Sequence, residues 1–205
     1  MAIAAYNSTF YVGSLPSVAF TDEATTTSDR ITYSISNAAH RYLDKSVATV
    51  VQTSPDGSTW TTVTSGFTLY RCNARVVFTS TQPIGTQVRL HSGNYIPYAS
   101  LAQSYSADYS AKMDMLDSTV FNSTGNKTFV PGLLSGTMKC QTWWANETRI
   151  TSLLARDLII VSIATPTGNH YDGFCYAGDL GMKADPKSLV TEDITFQLTD
   201  ELFAA

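Results

Sequence analysis

The chain has 205 residues and a mass of 22.3 kDa, enough for one large domain or two small ones and long enough to bury a core without a disulfide or metal staple. Charged residues make up only 15%, whereas Ser and Thr number 22 and 28; with 11% aromatics, this is the composition of β-strands with hydroxylated faces, and it excludes a disordered chain or a long coiled coil. The net charge of −4 and a pI near 5.2 exclude the basic face of a nucleic-acid binder.

The charge is uneven. Residues 1–103 sum to +1 and residues 104–205 to −5. The three cysteines, Cys72, Cys140 and Cys175, are odd in number and far apart, so free thiols in a reducing compartment are expected. The first residues lack the basic and apolar regions of a secretory leader, and the longest apolar run is too short to cross a bilayer.

The first half reads as short strands at 8–12, 31–35, 47–52, 60–63, 68–71, 75–79 and 87–91. Ser54-Pro55-Asp56-Gly57 predicts a hairpin turn, because Pro fixes φ and Gly accepts a positive φ. Only 37–43 suggests a helical turn in this half.

The second half is more periodic. Over 105–115, Tyr105, Ala107, Tyr109, Ala111, Met113 and Met115 alternate with Ser106, Asp108, Ser110, Lys112 and Asp114. Over 134–144, Leu134, Gly136, Met138, Cys140 and Trp144 share one face and Ser135, Thr137, Lys139 and Gln141 the other. Over 190–199, Val190, Ile194, Phe196 and Leu198 oppose Asp193, Thr195 and Gln197, and Glu192 interrupts the apolar side. Strands of this length exceed the usual five or six residues and suit a barrel or tube wall.

Between these strands, 117–133 is predicted to be a loop whose apolar anchors, Phe121, Phe129 and Val130, dock on something, including a neighbouring copy. A helix is predicted over 146–156, with Asn146 as N-cap and Ile150, Leu153 and Leu154 as its apolar stripe. Residues 158–163 are continuously apolar, as in a strand covered on both faces.

The sequence offers no bond chemistry. His40, His91 and His170 stand alone, adjacent carboxylates on a strand point to opposite faces, and no nucleophile elbow, phosphate loop or metalloprotease helix occurs. Cys140 falls on an apolar face and reads as core. No enzyme activity, cofactor or metal is expected. Trp143-Trp144 reads as core plus interface, with a sugar platform as the rival.

The second half resembles the major tail tube proteins of long-tailed, siphovirus-like bacteriophages. Residues 104–115 look like the first tube strand, and Asp117-Ser118-Thr119-Val120-Phe121 is similar to the D-x-T-x-F run that follows it. Lys127-Thr128-Phe129-Val130-Pro131-Gly132-Leu133-Leu134-Ser135-Gly136 is similar to the family's k-x-f-x-P-G-L-x-x-G segment. The helix at 146–156 and the strand at 193–199 follow in order. In the first half, Ala19-Phe20-Thr21-Asp22-Glu23-Ala24, Arg41-Tyr42-Leu43-Asp44 and Gly93-Asn94-Tyr95-Ile96-Pro97 resemble the N-terminal region of some members. Arg71-Cys72-Asn73-Ala74 departs from the family's glycine-containing turn, and Trp143-Trp144 is bulkier than in many relatives.

The resemblance implies a mainly β protein. It would be an antiparallel β-sandwich or barrel with one flanking α-helix, a β-rich outer-wall region at 1–100 and a tube core at 101–205. It implies stacked hexameric rings that form a virion tail tube, assembled in the bacterial host cytoplasm and conducting double-stranded DNA. Partners would be further copies of the chain, a tape measure protein, and tail terminator and distal tail proteins, with no membrane. Expected lumen residues are Asp108, Ser110, Lys112, Asp114, Lys139, Asp193 and Gln197. Expected contacts between rings are Phe121, Phe129, Val130 and Pro131. The alternatives are a tail terminator, another virion component of the same fold, or a carbohydrate-binding β-sandwich.

Overall fold

The structure is a computed structural model that describes residues 8–101, 104–118, 127, 129–143, 154–185 and 188–204. Fourteen strands follow in chain order: β1 (Thr9–Gly13), β2 (Val18–Thr26), β3 (Thr32–Ile35), β4 (Val50–Ser54), β5 (Thr61–Val63), β6 (Phe67–Tyr70), β7 (Arg75–Phe78), β8 (Gln87–Tyr95), β9 (Tyr98–Ser100), β10 (Ser104–Asp117), β11 (Phe129–Trp143), β12 (Ile159–Ala164), β13 (His170–Lys183) and β14 (Thr191–Ala204). They form two antiparallel seven-stranded sheets, ordered β5-β4-β8-β2-β3-β7-β6 and β10-β11-β14-β13-β12-β1-β9. The second sheet therefore takes β1 and β9 from the first hundred residues. A 3₁₀ turn at Ala38–His40, capped by Asn37, is the helical turn expected there.

The first sheet folds over its own core because β2 changes partner. Val18–Ala24 pair with β8, and Thr25–Thr26 pair with β3. Phe20, Tyr33, Leu43, Val51, Val76, Phe78, Val88 and Leu90 fill the space between. The Ser54–Gly57 segment turns as expected, with Gly57 at φ +75° and Asp56 accepting the Ser58 and Thr59 N–H groups.

The second sheet curls into a half-barrel. Phe10, Met138, Cys140, Ile159, Val161, Cys175, Ile194, Phe196 and Leu198 fill its concave side, and Phe10 stacks on Phe196 with ring centroids 5.8 Å apart. Tyr109 of β10 stacks on Tyr171 of β13 at 5.2 Å, across the concavity. The curl does not close into a ladder. Where β10 nears β1, a cavity of about 370 Å³ remains, lined by Thr9, Phe10, Tyr105, Ala107 and Ile163.

The sheets clasp through a third cluster of Tyr42, Cys72, Ile96, Ile160 and Phe174. Around it the Tyr42 hydroxyl donates to Asp172 Oδ1 at 3.1 Å, and Glu201 Oε2 accepts the Arg71 and Cys72 N–H groups at 2.7 and 2.9 Å. His170 Nδ1 lies 2.6 Å from Asp172 Oδ2, within ion-pair distance but not aligned as a hydrogen bond. Lys45 pairs with Asp200 and sits 3.9 Å over the Phe174 ring. Burial, followed by the neighbouring Asp172 carboxylate, pushes the Tyr42 hydroxyl far above the ordinary phenol range, so it remains a donor.

One expectation needs correction. Residues 129–133 are not loop. They open β11, where Phe129, Val130 and Pro131 pair with Asp117, Leu116 and Met115. Pro131 is tolerated because, among the described residues, this end of β11 has β10 as its only strand neighbour, so a missing N–H is accommodated. The helix predicted over 146–156 falls largely on residues outside the described ones, 144–153, and of its described residues 154–155 carry helical geometry.

The β2–β3 turn makes a pH prediction. Asp29 Oδ1 accepts the Ile31 and Thr32 N–H groups at 2.9 and 2.7 Å, and these bonds lower its pKa to about 2 from an ordinary 3.8. A depressed carboxylate adds stability that is present above its unfolded pKa and is lost as the pH falls through its folded one. Thermal melts should therefore show Tm falling between pH 3.8 and about 2. Asp29→Asn should lower Tm at neutral pH and flatten that fall.

Candidate functional site

The register of β10, β11, β14 and β13 assembles one polar face. Asp108 lies opposite Lys139, Ser110 opposite Thr137, and Lys112 opposite Ser135. Thr137 in turn lies opposite Gln197, Lys139 opposite Thr195, and Gln141 opposite Asp193. Directly opposed residues of an antiparallel pair share a face. Two rows result: Ser110–Thr137–Gln197–Tyr176 and Asp108–Lys139–Thr195–Asp179. Their neighbours Met138, Cys140, Ile194 and Phe196 point the other way and are buried.

The structure thus brings Asp108, Ser110, Lys112, Lys139, Asp193 and Gln197 onto a single surface. Asp114 joins them on strand parity, beside a register shift, with its carboxylate 3.8 Å from Lys112 Nζ. The Gln197 side-chain amide donates to the Gly136 carbonyl at 2.9 Å, tying β14 to β11. Tyr176, Asp179 and Lys183 belong to the same face through β13, which sequence periodicity did not reveal. The face then carries the carboxylates of Asp108, Asp114, Asp179 and Asp193 against the ammonium groups of Lys112, Lys139 and Lys183. It is mixed in sign, with a small negative excess.

Glu192 lies on the opposite, apolar side at 2% exposure, in register with Thr142 and Met182. Trp143 falls on the polar side by parity, and its ring lies 4.9 Å from that of Tyr105.

Two further features concern assembly. Among the described residues, β10 is an edge strand of fourteen residues, exposed on both faces from Ala107 onward. Beyond Thr137, β10 and the start of β11 project as a two-stranded arm, because β14 pairs with β11 only over Thr137–Trp143. The arm exposes Met113, Met115, Leu116, Phe129, Val130, Leu133 and Leu134, and Leu133 is 80% exposed. Phe129, Val130 and Pro131 thus sit on the arm, whereas Phe121 lies outside the described residues. A hairpin with apolar residues on both faces is marginal in water on its own, and a long exposed edge invites another strand. Among the described residues, no group of three or more His, Cys, Asp or Glu could hold a metal ion.

No family model and no curated protein sequence matches the chain. Among solved structures, it is similar to a chain from the virion of a native gene transfer agent particle. The identity is 11% and the TM-score 0.48, over 53% of this chain and 88% of that one. It is also similar to a chain from the tail of an empty gene transfer agent particle of C6 symmetry. There the identity is 10% and the TM-score 0.49, over 53% of this chain and 87% of that one.

Proposed function

We propose that the chain is a structural subunit of a phage-like virion tail, and that its copies form stacked rings around a channel for double-stranded DNA. The observation that carries this reading is the combination of a long strand that is a sheet edge among the described residues with a continuous polar face on the same four strands. A head-to-tail ring gives each β10 edge a neighbour, so the long edge of the curled sheet is covered. Repetition of the face then builds a closed polar wall. Asp108, Ser110, Lys112, Asp114, Lys139, Asp193 and Gln197 line it, joined by Tyr176 and Asp179.

Such a wall suits passage rather than capture. A basic lining would hold the duplex by counterion release, whereas a hydroxylated lining of mixed sign lets phosphates slide by. The apolar arm, with Phe129, Val130 and Pro131, contacts the next ring. Residues 1–100 supply the outer wall, although β1 and β9 contribute to the curled sheet. Tape measure, terminator and distal tail proteins are the expected partners, and the virion tail is the expected location after assembly in the host cytoplasm.

Electron microscopy of concentrated purified protein tests this reading. Hollow tubes built of rings are expected. Rings that never stack would favour a terminator, and isolated monomers at every concentration would overturn the assembly. Replacing Asp108 and Asp114 with Lys is expected to leave tubes intact and to slow DNA release from particles that carry the variant. Unchanged release would place this face away from the channel.

A further inference from the structure

The first sheet carries a pocket unrelated to the polar wall. It opens in the fork where β2 leaves β8 after Ala24 and joins β3 at Thr25. The cavity is about 320 Å³, within the range of small-molecule sites. Asp22, Thr27, Tyr33, Trp60, Gln87 and Arg89 line it.

Three independent features mark this place. The Tyr33 side chain is 1% exposed, and its hydroxyl is buried with no hydrogen-bond partner. A buried hydroxyl left unpaired costs free energy that a core phenylalanine would avoid. Asp22 sits at φ +55° in the middle of β2, skipped by the ladder between the Thr21–Ser92 and Glu23–Leu90 pairs. Residues with this backbone strain gather at binding sites. Trp60, partly exposed, has the Arg89 guanidinium 4.1 Å from its ring centroid. Gln52 fixes that guanidinium at 2.8 and 3.0 Å, and Asp22 fixes it at 3.1 Å.

The charges in the pocket balance. The Arg89 cation is matched by Asp22, which also lies 2.7 Å from His91 Nδ1. What the pocket offers a ligand is an indole surface, an unpaired phenol, the Asp22 carboxylate as an acceptor, and the Gln87 amide and Thr27 hydroxyl at the rim. An apolar plate beside several polar groups of both hydrogen-bonding senses, with no net charge, matches one sugar ring: its C–H face lies against the indole and its hydroxyls meet the rim.

We infer that this pocket binds a neutral saccharide, with Trp60 as the stacking surface and Tyr33, Asp22 and Gln87 as its hydrogen-bonding partners. The site shares no residue with the polar wall or the arm, so it stands or falls apart from the tube reading.

The test is titration of the full chain with glucose, galactose, rhamnose and N-acetylglucosamine, followed by tryptophan fluorescence and by backbone amide shifts. Saturable binding of at least one sugar is expected, with shifts centred on Asp22, Tyr33, Trp60 and Gln87. Trp60→Ala should weaken it at least tenfold, and Gln87→Ala, at an exposed position, several-fold without altering the melt. Tyr33→Phe is the sharper variant: affinity should fall several-fold while Tm stays level or rises, because the free protein loses no bond. A lower Tm would show that the hydroxyl has a structural partner and would overturn its assignment. Absence of saturable shifts with all four sugars, binding that survives Trp60→Ala, or saturation by inorganic phosphate instead would overturn the proposal.

Discussion

Asp172→Ala is expected to cost about 3–5 kcal/mol of folding stability, measured by urea denaturation, because it removes the anion from a buried polar cluster. Asp172 is 1% exposed and lies on the face of the curled sheet that meets the first sheet. It accepts from the Tyr42 hydroxyl and faces His170 at ion-pair distance. Without it, the Tyr42 hydroxyl, itself fully buried, loses the carboxylate acceptor it has at 3.1 Å. Asp172→Asn keeps the shape and one acceptor oxygen, and so should lose clearly less than Asp172→Ala. Equal losses for the two would mean that packing, not the carboxylate, holds the sheets together. Tyr42→Phe separates the hydroxyl from the ring: about 1–3 kcal/mol is expected for leaving a buried acceptor unpaired.

Val130→Asp combined with Leu133→Asp is expected to abolish tubes while leaving the monomer folded. Both residues lie on the arm and are exposed, at 49% and 80%, so their replacement should shift stability by no more than about 0.5 kcal/mol. In an assembled tube the same positions would be buried against a neighbour, and a carboxylate driven into that contact is desolvated without a partner. Sedimentation should show only small species, and circular dichroism should match that of the parent chain. Tubes that persist in the double variant would remove the arm from the assembly contact. Exposed apolar residues are otherwise normal when scattered; here their concentration on two facing strands sets the arm apart.

Strict alternation made the long strands legible. The 134–143 stripe buries Met138 and Cys140 against the polar Thr137, Lys139 and Gln141, the 105–115 stripe keeps its apolar set on one face although that face is largely exposed, and the ladder registers place six of the seven proposed wall residues opposite one another or in adjacent pairs. Cys140 read as core from its stripe, and it is 1% exposed. β13 escaped notice because Gly173, Gly178 and Gly181 interrupt its periodicity. At Gly173 the reason is packing: a Cβ would lie 2.6 Å from Leu198 Cδ2, so the strand is stabilised by a neighbour that the local sequence does not display. β2 was hidden by Asp22-Glu23, where a residue at positive φ places a charge in mid-strand. The pocket at the fork was likewise invisible, because it depends on residues up to 67 positions apart, from Asp22 to Arg89, meeting through long-range pairing.

One strand does two jobs at its two ends. β14 begins inside the polar face, between β11 and β13, and finishes at the clasp, where Glu201 caps the Arg71 and Cys72 amides and Phe203 lies under Arg75. A tug on the first sheet therefore runs lengthwise down β14 and loads its ladder bonds in shear, all at once, instead of peeling them open in turn. The molecule is built to keep its two sheets attached under mechanical load.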